Sequence, residues 1–99
     1  MARQSLRFHT SEKTIQRRAR KVLQDAGWLV VRLTQVYPAG MPDLVAFRAG
    51  EAVFVECKSS IGKVSQVQQL LHGTLDKQGF RVYVVRDTNT LTHLLKCVR

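Results

Sequence analysis

Apolar residues recur at helical spacing over residues 11–26, where Ile15, Ala19, Val22, Leu23 and Ala26 share one stripe. Thr10 or Ser11 can cap the start of this segment, and Gly27 suits its end. The period then changes. Residues 28–34 are rich in apolar and β-branched side chains and predict a strand. Residues 35–42 hold both prolines and a glycine, which predicts a loop. Residues 43–47 and 52–58 read as two strands, and Arg48, Ala49, Gly50 and Glu51 between them read as the tight turn of a hairpin. A polar loop over residues 59–64 leads to Ser65, which can cap a helix running to about Gln78. Val67, Leu70, Leu71 and Leu75 are its apolar face, and Gly79 closes it. Residues 81–86 predict a further strand, and Leu91, Leu94, Leu95 and Val98 mark a last helix.

The expected order is helix, three strands, helix, strand, helix. Both faces of the hairpin are apolar, with Val45, Phe47 and Phe54 on one and Leu44, Val53 and Val55 on the other. Such a sheet needs cover on both sides, so the fold class is α/β, a mixed central sheet flanked by helices on both faces. The third and fourth strands are joined through a helix, which predicts a parallel, right-handed crossover. The 99 residues allow one domain, with residues 1–10 expected to be flexible.

Charge changes the picture more than composition does. A hydrophobic fraction of 44% is ordinary, but a net charge of +9 points to a polyanionic partner. No apolar run reaches the roughly 20 residues of a membrane span, and the start of the chain lacks a secretory pattern. The expected location is cytoplasmic, with no membrane partner. Cys57 and Cys97 lack paired ligand spacing, which argues against zinc and for free thiols. A domain this small buries a limited share of its surface, so a second copy is a natural source of stability.

Candidate chemistry centres on the hairpin. A two-residue turn at Ala49 and Gly50 puts Asp43 opposite Glu56; a bulged turn shifts the pairing by one residue, and Ala-Gly does not decide between them. Glu56 and Lys58 lie two apart on a strand and share a face. Two carboxylates about 4 Å apart repel by roughly 4 kcal/mol at an effective dielectric near 20. A divalent cation, magnesium or manganese by its oxygen ligands, would offset that repulsion. Lys58 alone would also offset it, leaving a structural ion cluster. Glu12 falls on the apolar stripe of the first helix, which turns its carboxylate towards the sheet; the helix dipole alone also favours an acid there. Lys13, Arg17, Arg20 and Lys21 lie on the opposite face, a solvated face or a phosphate-contacting one. Ser59, Ser60, Gly62 and Lys63 can present N–H groups and a cation to a phosphate, or form an ordinary polar loop. His9 falls in the terminus expected to be flexible, His72 lies off the apolar stripe of its helix, and His93 has no metal-ligand spacing in the last helix, so all three read as surface or supporting residues. No glycine-rich phosphate loop is found, and no small-molecule cofactor is expected.

The string Gly40-Met41-Pro42-Asp43, then twelve residues, then Glu56-Cys57-Lys58, resembles the PD-(D/E)xK nuclease superfamily. Gly62-Lys63-Val64-Ser65-Gln66-Val67-Gln68, a helix, and Gly79-Phe80-Arg81-Val82 then resemble the VRR-NUC family, the virus-type replication-repair nucleases, as does Glu12-Lys13-Thr14-Ile15-Gln16. The likeness covers residues 12–87. Gln66 stands where many members have proline, and Met41 where a small or basic residue is frequent. The resemblance implies a restriction-endonuclease-like core and magnesium- or manganese-dependent hydrolysis of DNA. It makes Asp43 and Glu56 metal ligands with the Cys57 carbonyl, and Lys58 the residue that orients water or stabilises developing charge. It gives Glu12 a water on the metal, and Gln68 a bond near Lys58 or the phosphate. The family includes the nuclease domain of the Fanconi-associated nuclease. Its stand-alone members, viral or bacterial in type, are associated with homodimers and with branched DNA, including four-way junctions. The expected protein is therefore a structure-selective DNA endonuclease; the alternative is a non-catalytic basic module that binds nucleic acid.

Overall fold

The hairpin turn sets the register of the whole sheet. In the computed structural model, which describes residues 10–97 without the side chains of residues 88 and 97, Ala49 and Gly50 have φ of 51° and 81°. Both central residues are left-handed, which is the two-residue turn whose twist suits a hairpin. Gly50 adopts this freely, whereas Ala49 pays roughly 1 kcal/mol for it. The turn makes Arg48 pair with Glu51, and the register then runs through Val45 opposite Phe54 to Leu44 opposite Val55. The alternative left open by the sequence, a bulge, is excluded.

The elements are α1 (Glu12–Asp25), β1 (Leu29–Arg32), β2 (Leu44–Arg48), β3 (Glu51–Cys57), α2 (Gln66–Lys77), β4 (Arg81–Val85) and α3 (Thr88–Cys97). The sheet order is β1-β2-β3-β4, antiparallel in the first two pairings and parallel between β3 and β4. This is the expected mixed sheet. The Ser11 hydroxyl accepts from Thr14 N and starts α1, while Gly27, at φ 92°, turns the chain out of it. The expected flexibility of residues 1–10, with His9, and the apolar role of Val98 fall on residues outside those described, Thr10 excepted.

One sheet face carries the core. Leu44, Ala46, Val53, Val55, Cys57 and Val85 are buried there beneath Ile15, Ala19 and Leu23 of α1 and Leu91 of α3. Each fully buried leucine contributes about 1.5–3 kcal/mol by leaving water. Ala26, placed on the stripe by spacing, is exposed because the helix has ended there. Trp28 is buried under the Arg48 guanidinium, 4.5 Å from its ring centre, and Arg48 Nη1 donates to Ala26 O at 2.9 Å. Those contacts tie the end of α1 to the hairpin.

The other face is covered by α2 over β3 and β4 only. Here the helix is rotated from the expected orientation. Val67 and Leu70 are exposed, while Gln68, Leu71, His72 and Leu75 are half-buried. Phe54 meets Phe80 edge-on at 6.0 Å. Leu29, Val31 and Phe47 share this face by register, and all three stay exposed on the part that α2 leaves open. Among the described residues, no helix is long and apolar enough to cross a membrane.

Candidate active site

The paired strands deliver Asp43 and Glu56 to one end of the sheet. Asp43 precedes β2 by one residue, so the register continues to place it opposite Glu56. Its backbone is fixed by Leu33 N, which donates to Asp43 O at 2.8 Å. Its side chain is fixed by Cys57 N, which donates to Oδ2 at 2.8 Å. The loop before it presses against α2 at Gly40, where φ is 94° and an added Cβ would lie 2.7 Å from Val67 O. Only glycine allows that approach.

Glu56 projects from β3 to the opposite side from Cys57, beneath α2. It is 1% exposed and is the one buried charged residue among those described. Gln68 Nε2 donates to Oε2 at 2.8 Å, and Lys58 Nζ stands 3.4 Å from the same oxygen. Oε1 is buried and has no hydrogen-bond partner. His72 Nε2 stands 3.9 Å from it and is also buried without a partner. Gln68 reaches the site because Ser65 starts α2. Gln68 Oε1 accepts from Ser65 N at 2.9 Å and Ser65 Oγ accepts from Gln68 N, which closes a capping box.

Burial and the Asp43 charge push the Glu56 carboxyl up to about 6, against the opposing pull of Lys58 and Gln68. Burial also raises Asp43, with the Cys57 N–H and Lys58 acting against it. Burial and then Lys58 hold His72 below the ordinary histidine range. Cys57 is pushed up to about 12 by burial and by the surrounding carboxylates. That makes it an inert thiol rather than a nucleophile.

Glu12 joins the cluster from α1, but it is exposed at the mouth rather than turned away from solvent. Its Oε2 would lie 2.9 Å from a Cβ placed on Gly62, and its charge raises both Asp43 and Cys57. Gln68 bonds Glu56 itself, where the resemblance implied Lys58 or phosphate. Lys13, Arg17, Lys21 and Lys63 are exposed. Arg20 is half-buried with its Nε enclosed and unpartnered, so it borders the core instead of standing with the outer cations.

Two residues escape the sequence pattern. His72 stands one turn beyond Gln68, and that spacing puts both on the face that meets Glu56. The signal was the polar pair, but the leucines around it drew the stripe elsewhere. Arg86 donates Nη1 to Ser59 O and to Gly62 O, both at 2.6 Å, and so pins the loop after Lys58. An arginine at the end of a strand gives no sequence signal of that role.

Among the described residues, no three His, Cys, Asp or Glu side chains converge closely enough to hold an ion by themselves. Two carboxylates, one with a buried unpartnered oxygen, still suit a hard cation. Magnesium in particular keeps several waters and takes one or two carboxylates plus substrate phosphate.

The model of the archaeal Holliday junction resolvase (Hjc) family matches residues 10–73, a span that includes Glu12, Asp43, Glu56, Lys58, Gln68 and His72. A solved structure described as a VRR_NUC domain is similar at a TM-score of 0.79 and 28% sequence identity, covering 89% of this chain and 97% of that chain. No curated protein matches. The VRR-NUC resemblance and the α/β fold class read from the sequence both stand.

Proposed function

The chain belongs to the archaeal Holliday junction resolvase (Hjc) family of nucleases that act on DNA, and on that premise we propose a divalent-metal-dependent endonuclease that cuts branched DNA, four-way junctions included. The observation that carries this reading is the placement of Glu56. A buried carboxylate opposite Asp43 and 3.4 Å from Lys58 is costly to keep, and neither the core nor a phosphate-binding surface needs it.

Asp43, Glu56 and the Cys57 carbonyl would hold magnesium or manganese, with Glu12 acting through water. When bound, the ion supplies positive charge against the phosphate and lowers the pKa of water. The protein's own groups do the rest. Lys58 orients the attacking water and offsets negative charge as it develops on the phosphate oxygens. Gln68 keeps Glu56 in place, and Arg86 holds the loop that carries Lys63. Lys13, Arg17, Lys21 and Lys63 bind phosphates flanking the cut, with the half-buried Arg20 beside them.

Resolving a four-way junction takes two incisions, so two copies of this chain act together. Leu29, Val31, Phe47 and Phe80, exposed on the sheet face beside α2, form the surface proposed for the second copy. Sedimentation should show twice 11.3 kDa, and an 11.3 kDa species alone would remove the dimer.

The test is cleavage of a labelled four-way junction beside a matched linear duplex, with and without magnesium or manganese. The Glu56→Ala variant is the control. Metal-dependent cutting of the junction is expected. Equal cutting of both DNAs would remove the branch selectivity, and binding without cutting under either metal would leave a basic binding module.

A further inference from the structure

Glu56 is held from one side only. Its Oε2 takes the Gln68 amide at 2.8 Å and faces Lys58, whereas Oε1 is buried without any donor. One turn along α2, His72 Nε2 is buried and equally without a partner, 3.9 Å from that oxygen. The separation is too long for a hydrogen bond. A small rotation of the imidazole closes it, and doing so satisfies two enclosed polar atoms at once. His72 is on the same face of α2 as Gln68, so one helix brings both donors to one carboxylate.

From this pairing we propose that His72 is a positioning residue for Glu56: its Nε2–H holds Oε1, fixes the carboxylate's orientation and so sets the affinity for the divalent ion. The inference rests on the reading that Glu56 ligates a metal. His72 acts through Glu56 rather than on the ion, since it does not converge with Asp43 and Glu56 into a ligand set of three. Residues that orient a metal-binding side chain in this way typically change metal affinity or activity by about 10–100-fold when lost.

Manganese binding to the full chain without DNA tests this, followed by the loss of the free-ion paramagnetic resonance signal. Thermal melts of the metal-free protein run alongside. His72→Leu keeps the volume and removes the donor, and His72→Gln keeps a neutral donor. We expect His72→Leu to bind manganese at least 10-fold more weakly with its metal-free melting point preserved, and His72→Gln to recover most of that loss. Should His72→Leu fail to fold, His72→Met against His72→Gln makes the same comparison. Glu56→Gln separates the two levels of inference. If the wild type binds manganese, Glu56→Gln does not, and His72→Leu binds like the wild type, His72 has no positioning role and the metal site stands. If the wild type takes up no manganese, the reading of Glu56 as a ligand fails and takes this inference with it.

Discussion

Gln68 joins the start of α2 to the buried carboxylate: its Oε1 accepts from Ser65 N at 2.9 Å while its Nε2 donates to Glu56 Oε2 at 2.8 Å. One side chain thus serves helix capping and site geometry together. The two roles come apart under substitution. Gln68→Glu keeps an acceptor for Ser65 N, since glutamate serves equally in a capping box, but it adds a further carboxylate to the Asp43 and Glu56 already there. Cleavage should fall by at least about 10-fold. Ser65→Ala removes the cap, costs about 1 kcal/mol and should leave cleavage within a few-fold of wild type. Melts and initial rates on both variants decide the matter. Parallel losses of stability and rate in the two would mean that Gln68 acts only through the helix.

The raised pKa of Glu56 gives a pH dependence with a definite sign. Its carboxyl moves from 4.5 to about 6 on folding, so the native state binds the proton more tightly than the unfolded state does. The associated stability is complete below about pH 4.5 and is lost as pH rises through about 6. Ionised Glu56 therefore costs the metal-free protein up to about 2 kcal/mol above pH 6. Glu56→Gln should be the more stable protein at pH 8, with the gap closing towards pH 4.5. Denaturant melts without metal at both pH values measure this. A less stable Glu56→Gln at pH 8 would show that the Lys58 and Gln68 contacts outweigh the burial cost.

The element order and the helix starts near Ser11 and at Ser65 follow from period and capping chemistry, whereas the Asp43–Glu56 pairing waits on the turn type, which Ala49-Gly50 leaves open between two registers. These are local rules, and the chain obeys them. The rotation of α2 is not local. Spacing favours the leucine stripe, but Glu56 lies buried in the sheet below, and the helix turns Gln68 and His72 to it at the expense of Val67 and Leu70. Arg86 is hidden for the same reason, because its two acceptors belong to residues more than 20 positions away. Arg20 differs from Lys13, Arg17 and Lys21 through its neighbours in the core, which a helical wheel does not contain.

Two glycines should respond to the same substitution in opposite ways. At Gly40 an added Cβ meets the Val67 backbone at 2.7 Å and the φ of 94° disfavours any side chain. Gly40→Ala should therefore destabilise the protein by about 2 kcal/mol or more. At Gly62 the Cβ meets the end of Glu12 at 2.9 Å, and that flexible, exposed side chain can swing aside. Gly62→Ala should cost under about 1 kcal/mol yet slow metal-dependent cleavage, because Glu12 is displaced from the mouth of the site. Melts beside cleavage rates test the contrast. A Gly62→Ala enzyme with the wild-type rate would take Glu12 out of the catalytic set.

The outer face of α1 leads away from the site, with Lys13 next to Glu12 and Lys21 about 12 Å further along the axis at 1.5 Å per residue. Lys13, Arg17 and Lys21 are exposed, and Lys21 is held only by a surface pair to Asp25 at 3.4 Å. Such a pair contributes little to stability, so Lys21 is available to a phosphate. Each residue that contacts a phosphate releases counterions when DNA binds. Replacing it with glutamine should therefore reduce the slope of log affinity against log salt by about 1. Lys13→Gln, Arg17→Gln and Lys21→Gln should each do so and weaken junction and linear duplex alike, because phosphate contacts carry no information about branching. Arg20→Gln should change the melting point more than the slope, since its Nε is enclosed by the protein. Binding titrations across a salt series distinguish these outcomes. An unchanged slope in all three outer variants would mean that this face of α1 is only solvated and that the DNA path runs elsewhere, past Lys63.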